Sequence, residues 1–114
     1  MASWLSSLGV DDRVAICTIA RGEVLFGLQR LAQGRRRTEL EGKASNLFAP
    51  LPCEPIRPAA GDLYAKVKIS QQRHGLPLDE NDLWIAATAL AMDATLVTRD
   101  SDFQGIAGLT VVEP

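Results

Sequence analysis

From Leu83 to Met92 the chain contains a single polar side chain, Thr88. A helix that apolar has no face to offer water, so it must be buried on most sides. The run falls well short of the ~20 residues a membrane-crossing helix needs, as does every other apolar run in the chain, so protein must cover it. Its start is marked by Asp79, an N-cap candidate, with Asp82 placed three residues on to return the bond as in a capping box. Just beyond it, Ala94 to Thr98 reads as a strand of the fully buried, parallel kind.

The rest of the chain alternates in the same way. Arg13 to Cys17 reads as a short buried strand. Thr18 is an N-cap for a helix to about Ala32, with Leu25, Leu28, Leu31 and Ala32 on one stripe and Gly34 ending it. Arg35, Arg36 and Arg37 read as a solvated helix start in preference to a phosphate-binding run, and a second helix covers Thr38 to Phe48. Pro50, Pro52, Pro55 and Pro58 make the next stretch a connector with one short strand around Cys53 to Ile56. Pro58 suits the first turn of a helix that reaches Arg73 and stops at Gly75. After the apolar helix and its strand, Arg99 to Gly105 is a turn with room for one helical turn, and Leu109 to Val112 is a last strand. At the start, Met1 to Leu8 reads as the tail of a helix closed by Gly9, with a turn at Val10, Asp11 and Asp12. Helices alternating with short apolar strands argue an α/β domain with a parallel sheet. The length of 114 residues suits one domain.

Composition narrows the function classes. The net charge of −2 excludes a broad basic surface for nucleic acid, so chemistry on nucleic acid would need a local site with metal ions offsetting acidic groups. Cys17 and Cys53 are too few and too far apart for a zinc site, and no secretion signal precedes them. Free thiols in a reducing, cytoplasmic setting are expected. His74, the only histidine, is the one possible base for a Ser-His or Cys-His pair, but its place in a turn signal favours an exposed residue at a helix end.

Of the 14 acidic residues, four occupy informative places. Glu23 lies in the first turns of the helix after the first strand. Asp82 lies in the first turn of the apolar helix. Asp100 and Asp102 follow the strand Ala94 to Thr98. Ligands of an open parallel sheet bind beyond the carboxyl ends of its strands, which is where this reading puts Glu23, Asp100 and Asp102, and Asp82 too if its helix starts at that edge. Carboxylates gathered there repel one another unless a cation is present. Oxygen-only ligands suit Mg²⁺ or Mn²⁺, and such an ion supports phosphodiester hydrolysis. Each residue also has a plainer reading: Asp82 as a capping-box partner, Glu23 as a surface helix residue, Asp100 and Asp102 as turn formers.

The segments Asn81 to Ala87 and Leu96 to Phe103 resemble the C-terminal half of PIN-domain ribonucleases of the VapC toxin group. Ile106 to Val112 fits the same pattern, and Thr18 to Gly27 is similar to the family's glutamate-bearing helix. Gly75 to Leu78 matches a familiar lead-in to the aspartate. The resemblance runs from about residue 1 to residue 114 and implies a PIN-like fold with a parallel central sheet flanked by helices. It also implies a divalent-metal-dependent endoribonuclease, the toxin of a type II toxin–antitoxin pair, using Mg²⁺ or Mn²⁺. By the same resemblance Glu23 corresponds to the second acidic position, tuning metal or water. Asp82 corresponds to the third, as a direct metal ligand, and Asp100 and Asp102 fill the fourth region. Thr98 is placed to orient substrate or a ligand. The implied partners are RNA, a VapB-like antitoxin and a second copy in a homodimer, with no membrane.

One departure stands out. The family opens with an apolar strand ending in Asp-Thr or Asp-Ser, and nothing before Glu23 matches it; Asp11 and Asp12 precede the first strand here. A chain without that strand and aspartate is expected to be a weak or inactive nuclease. Two other functions compete: a non-catalytic remnant that still captures an antitoxin or toxin partner, and a phosphate-transfer receiver. The receiver would need an acidic cluster near the start and a lysine after a late strand. No lysine lies beyond Lys68.

Overall fold

The computed structural model describes residues 8, 9 and 12–114. The helix tail expected over Met1 to Leu8 falls outside them except for Leu8, as do Val10 and Asp11. Around them, the backbone N–H of Gly9 donates to Asp12 Oδ2 at 2.8 Å, and the N–H of Asp12 donates to Gly9 O at 3.2 Å. The described residues form two compact units: Arg13–Pro55, and Ile56–Pro114 together with Leu8, Gly9 and Asp12.

In the first unit, β1 (Ile16–Cys17) runs straight into α1 (Thr18–Gln29), and α2 (Arg35–Phe48) leads to β2 (Cys53–Glu54). β1 and β2 pair in parallel, Ile16 opposite Cys53 and Cys17 opposite Glu54. Thr18 does not cap α1 as expected. It is the helix's first residue, and its hydroxyl donates to Glu54 O at 2.6 Å, which ties the helix start to the neighbouring strand. α1 ends at Gln29, three residues before Ala32, because Arg30 and Leu31 already turn toward the connection. α2 begins at Arg35 and not at Thr38. Two i,i+4 pairs, Arg35–Glu39 at 3.1 Å and Arg37–Glu41 at 3.2 Å, support the early start. The arginines divide their work. Arg35 is solvated, whereas Arg37 is largely covered and donates to Gln29 Oε1 at 2.8 Å, bracing the end of α1.

In the second unit, α3 (Pro58–Arg73) opens on Pro58, whose missing N–H costs nothing in a first turn. α4 (Glu80–Ala91) packs against it. Leu83, Ile85, Ala86, Ala87, Thr88 and Ala89 of α4 are all buried, as the apolar run demands. The one polar member, Thr88, is satisfied by donating to Trp84 O at 2.7 Å. Asp79 holds the N-cap position, yet its side chain takes no cap hydrogen bond, so the expected box is not closed from that side. The helix ends in a Schellman arrangement: Asp93 N–H donates to Leu90 O and Ala94 N–H to Ala89 O, with Asp93 at φ 52°. β3 (Leu96–Val97) and β4 (Val111–Val112) pair in parallel, Leu96 opposite Val111. The expected parallel pairing is thus present as two two-stranded sheets, each strand shorter than its apolar run. Between β3 and β4, a 3-10 turn at Ser101–Phe103 buries Phe103, and Ile106 is buried shortly after.

The α3–α4 contact also carries a polar cluster. Tyr64 and Trp84 stack with ring centroids 4.2 Å apart. Lys68 Nζ donates to Glu80 Oε1 at 2.5 Å, and Tyr64 Oη donates to Glu80 Oε2 at 2.5 Å. Those bonds, Lys68 first and Tyr64 second, hold the Glu80 carboxyl below its ordinary range; the Glu80 bond, then the Tyr64 bond, raises Lys68.

Two substitutions check this packing. Leu83→Ala is expected to lower unfolding free energy by about 2–5 kcal/mol, measured by urea denaturation, because Leu83 is only 2 % exposed and its cavity has no route to water. Asp93→Gly is expected to raise it by up to about 1 kcal/mol, since glycine adopts the left-handed conformation without a Cβ penalty.

Candidate metal centre

Three of the four acidic residues picked out in the sequence come together. Asp82 reaches from the first turn of α4, and Asp100 and Asp102 lie on the connection after β3. One oxygen from each lies within 4.8 Å of the others, with Asp82 half-buried and the two loop aspartates exposed. The plainer readings of the loop pair hold at the same time. Asp100 Oδ1 accepts from the backbone N–H of Asp102 at 2.9 Å and so caps the 3-10 turn. Thr98 Oγ1 accepts from the N–H of Asp100 at 3.1 Å. Turn forming and ligand presentation are therefore one structure: the hydrogen bonds that close the turn also set the backbone from which both carboxylates project. Buried Phe103 anchors that turn from beneath.

Three carboxylates at this spacing oppose one another. Each pair costs about 1 kcal/mol in a water-like dielectric and more where the medium is less polar. The α4 N-terminus offsets part of this for Asp82 through its aligned peptide dipoles. A hard divalent cation would offset more of it, and an all-oxygen donor set with no Cys or His fits Mg²⁺ or Mn²⁺ better than zinc. Glu23 belongs to the other unit, on the second turn of α1, where its side chain is exposed. His74 is exposed at the C-terminal end of α3, with Nδ1 2.7 Å from Ser70 O, and Cys17 and Cys53 are free thiols, as expected.

The PIN domain family model matches residues 1–109. The chain belongs to the PIN-domain family. Ribonuclease VapC1 of Haemophilus influenzae strain R2866 is 31% identical over 113 residues, a match covering 96% of this chain and 80% of that one. Toxin FitB of Neisseria gonorrhoeae is 28% identical over 117 residues, covering 100% of this chain and 84% of that one. Among solved structures, VapBC-1 from nontypeable Haemophilus influenzae superposes with a TM-score of 0.85 at 25% identity, covering 98% of this chain and 82% of that one. The resemblance read from Asn81 to Ala87 and Leu96 to Phe103 thus extends to the whole fold, and in this PIN domain those two segments bear the three gathered carboxylates. Among the described residues, no helix is long and apolar enough to cross a membrane.

The sequence does not single out Tyr64, Lys68 or Glu80. Their association depends on two helices meeting, and the only local signal is the i,i+4 spacing of Tyr64 and Lys68 on α3.

If the cluster is a cation site, Mn²⁺ should raise the melting temperature of the unaltered chain and leave that of Asp82→Asn unchanged. Asp102→Asn should instead raise the melting temperature when no divalent ion is present, because it removes one charge from the repelling set. Differential scanning fluorimetry with and without Mn²⁺ measures both.

Proposed function

We propose that the chain is a divalent-metal-dependent endoribonuclease and the toxin component of a type II toxin–antitoxin pair, acting in the cytoplasm. The observation that carries this reading is the convergence of Asp82, Asp100 and Asp102 in a PIN domain. Asp82, Asp100 and Asp102 would hold Mg²⁺ or Mn²⁺; Glu23 is carried from the family resemblance alone as the second acidic position. When bound, the ion would lower the pKa of a coordinated water and stabilise charge developing on the phosphoryl group. The protein's own part is to keep three carboxylates at a fixed spacing. Asp82 is set by the helix, and Asp100 and Asp102 are set by a turn whose backbone is closed by Thr98 and by Asp100 itself. With a net charge of −2, RNA would be engaged at this local site through the cation, and not across a basic surface.

A VapB-like antitoxin and a homodimer are the proposed protein partners. In support of the first, several solved relatives are VapBC and FitAB pairs. The first unit also has an open groove of about 490 Å³ between α1 and α2, lined by Arg21, Leu25, Leu28, Ala44 and Phe48 among others. That groove favours a second reading as well, a PIN domain that captures its antitoxin without cutting RNA. The second reading keeps the partner and loses the chemistry.

Incubating the purified chain with RNA and Mn²⁺ separates the two. Cleavage that stops with EDTA and falls at least about a hundredfold in Asp82→Asn is the expected result for the enzyme, in line with the loss of one preorganised electrostatic group. No cleavage, with an antitoxin still bound, would leave the capture reading.

A further inference from the structure

We propose that Tyr64, Lys68, Glu80 and Trp84 form a clamp on α3 and α4 that positions Asp82 for cation binding; this rests on reading Asp82, Asp100 and Asp102 as a metal site. The geometry comes from helix periodicity. Glu80 and Trp84 stand two residues before and two residues after Asp82. At about 100° per residue both project from the face opposite Asp82, and they lie nearly above one another as an i,i+4 pair.

One residue of α3 grips both. Tyr64 donates its hydroxyl to Glu80 Oε2 at 2.5 Å and stacks its ring on Trp84 at 4.2 Å, with the planes only 13° apart. Lys68, one turn further along α3, takes the other oxygen, Glu80 Oε1, and also donates to Tyr64 Oη at 3.0 Å. Both Glu80 oxygens are thereby engaged, and the back of the first turn of α4 is fastened at two points that straddle Asp82.

The first turn needs that fastening. Its leading N–H groups have no partners inside the helix, and Asp79 accepts no cap bond to hold them. Helix ends fray more readily than helix interiors, and the Tyr64 and Lys68 contacts tie this one to α3. A carboxylate about 6 Å from the axis moves by about 1 Å when the helix turns by about 10°. Metal coordination tolerates only about 0.2 Å. Buried Leu83 and Ile85 seat the body of the helix, and the two-oxygen grip and ring stack add an angular restraint at its first turn. The clamp touches neither the cation nor substrate, so its members are positioning residues.

Mn²⁺ affinity of the full chain, measured by electron paramagnetic resonance, tests the proposal in the absence of RNA. Tyr64→Phe keeps the stack and removes the bond to Glu80, and Lys68→Met frees the other oxygen. Each is expected to weaken Mn²⁺ binding about tenfold, the lower end of what supporting partners contribute at metal sites. Val67→Ala, a cavity in the buried face of α3 outside the clamp, is expected to lower the melting temperature at least as much while leaving Mn²⁺ affinity where it was. Unchanged affinity in Tyr64→Phe and Lys68→Met, with Mn²⁺ still bound by the unaltered chain and lost in Asp82→Asn, overturns the clamp and leaves the metal site standing. Loss of affinity in Val67→Ala to the same degree also overturns the clamp, because general loosening would then explain it. Failure of the unaltered chain to bind Mn²⁺ overturns the metal site and the clamp together.

Discussion

A helix that carries Leu83, Ile85, Ala86, Ala87, Thr88 and Ala89 inside has almost no side left for water, and the unit of residues 56–114 is arranged around that demand. α3 covers one flank with small and branched residues, Ala60 fully buried and Val67 nearly so. On the far side of the sequence, Phe103 and Ile106 turn inward from the connection between β3 and β4, and Leu90 Cδ2 lies only 3.6 Å from where a Cβ on Gly108 would stand. Alanines make this possible. They let neighbouring backbone approach closely, so burial of the helix fixes the position of what surrounds it to within a methyl group.

The site is a consequence of that burial. Because the interior of α4 is committed to packing, its charged residues are confined to the first turn, where Glu80 and Asp82 both lie. Burial of Phe103 does the same for the loop: the ring is only 4 % exposed, so the residues just before it must leave the core, and these are Asp100, Ser101 and Asp102. Two apolar anchors therefore deliver three carboxylates to one place. The mutual repulsion of those carboxylates costs far less than unburying Leu83 and Phe103 would, so packing wins and the charges are held together.

Much of this was legible in the residues, unevenly and for physical reasons. The apolar helix, the three aspartates and the C-terminal strands carry strong local signals: a one-sided composition, charges at element ends, and the tight spacing of Leu96 to Phe103. Boundaries were less legible where a side chain could serve two partners. Thr18 has the chemistry of an N-cap, but its hydroxyl finds a better acceptor in Glu54 O, thirty-six residues away. Arg35 to Arg37 read as a solvated start to a helix over Thr38 to Phe48, and i,i+4 pairs with Glu39 and Glu41 carry α2 back to Arg35. The strands shrink to two residues each because paired backbone depends on a neighbour's reach, which no local pattern records. The Tyr64–Glu80 bond joins residues sixteen apart on two helices, so only the folded chain brings them together.

The first turn of α4 holds two carboxylates with opposite assignments, and their surroundings explain the division. Glu80 is drawn to the α3 side, where Lys68 and Tyr64 engage both of its oxygens and hold it ionised. Asp82, on the other face, has a carboxylate oxygen within 4.8 Å of Asp100 and Asp102, and it is half-buried. Were Glu80 not matched by Lys68, its charge would add to the field of the aspartate cluster and spread its attraction for a cation over two faces of the helix end. Matching it keeps Glu80 out of the field on the side where three carboxylate oxygens converge. On the proposed metal-site reading, a surface ion pair worth little to stability by itself would decide which face of one helix end attracts a divalent ion most strongly.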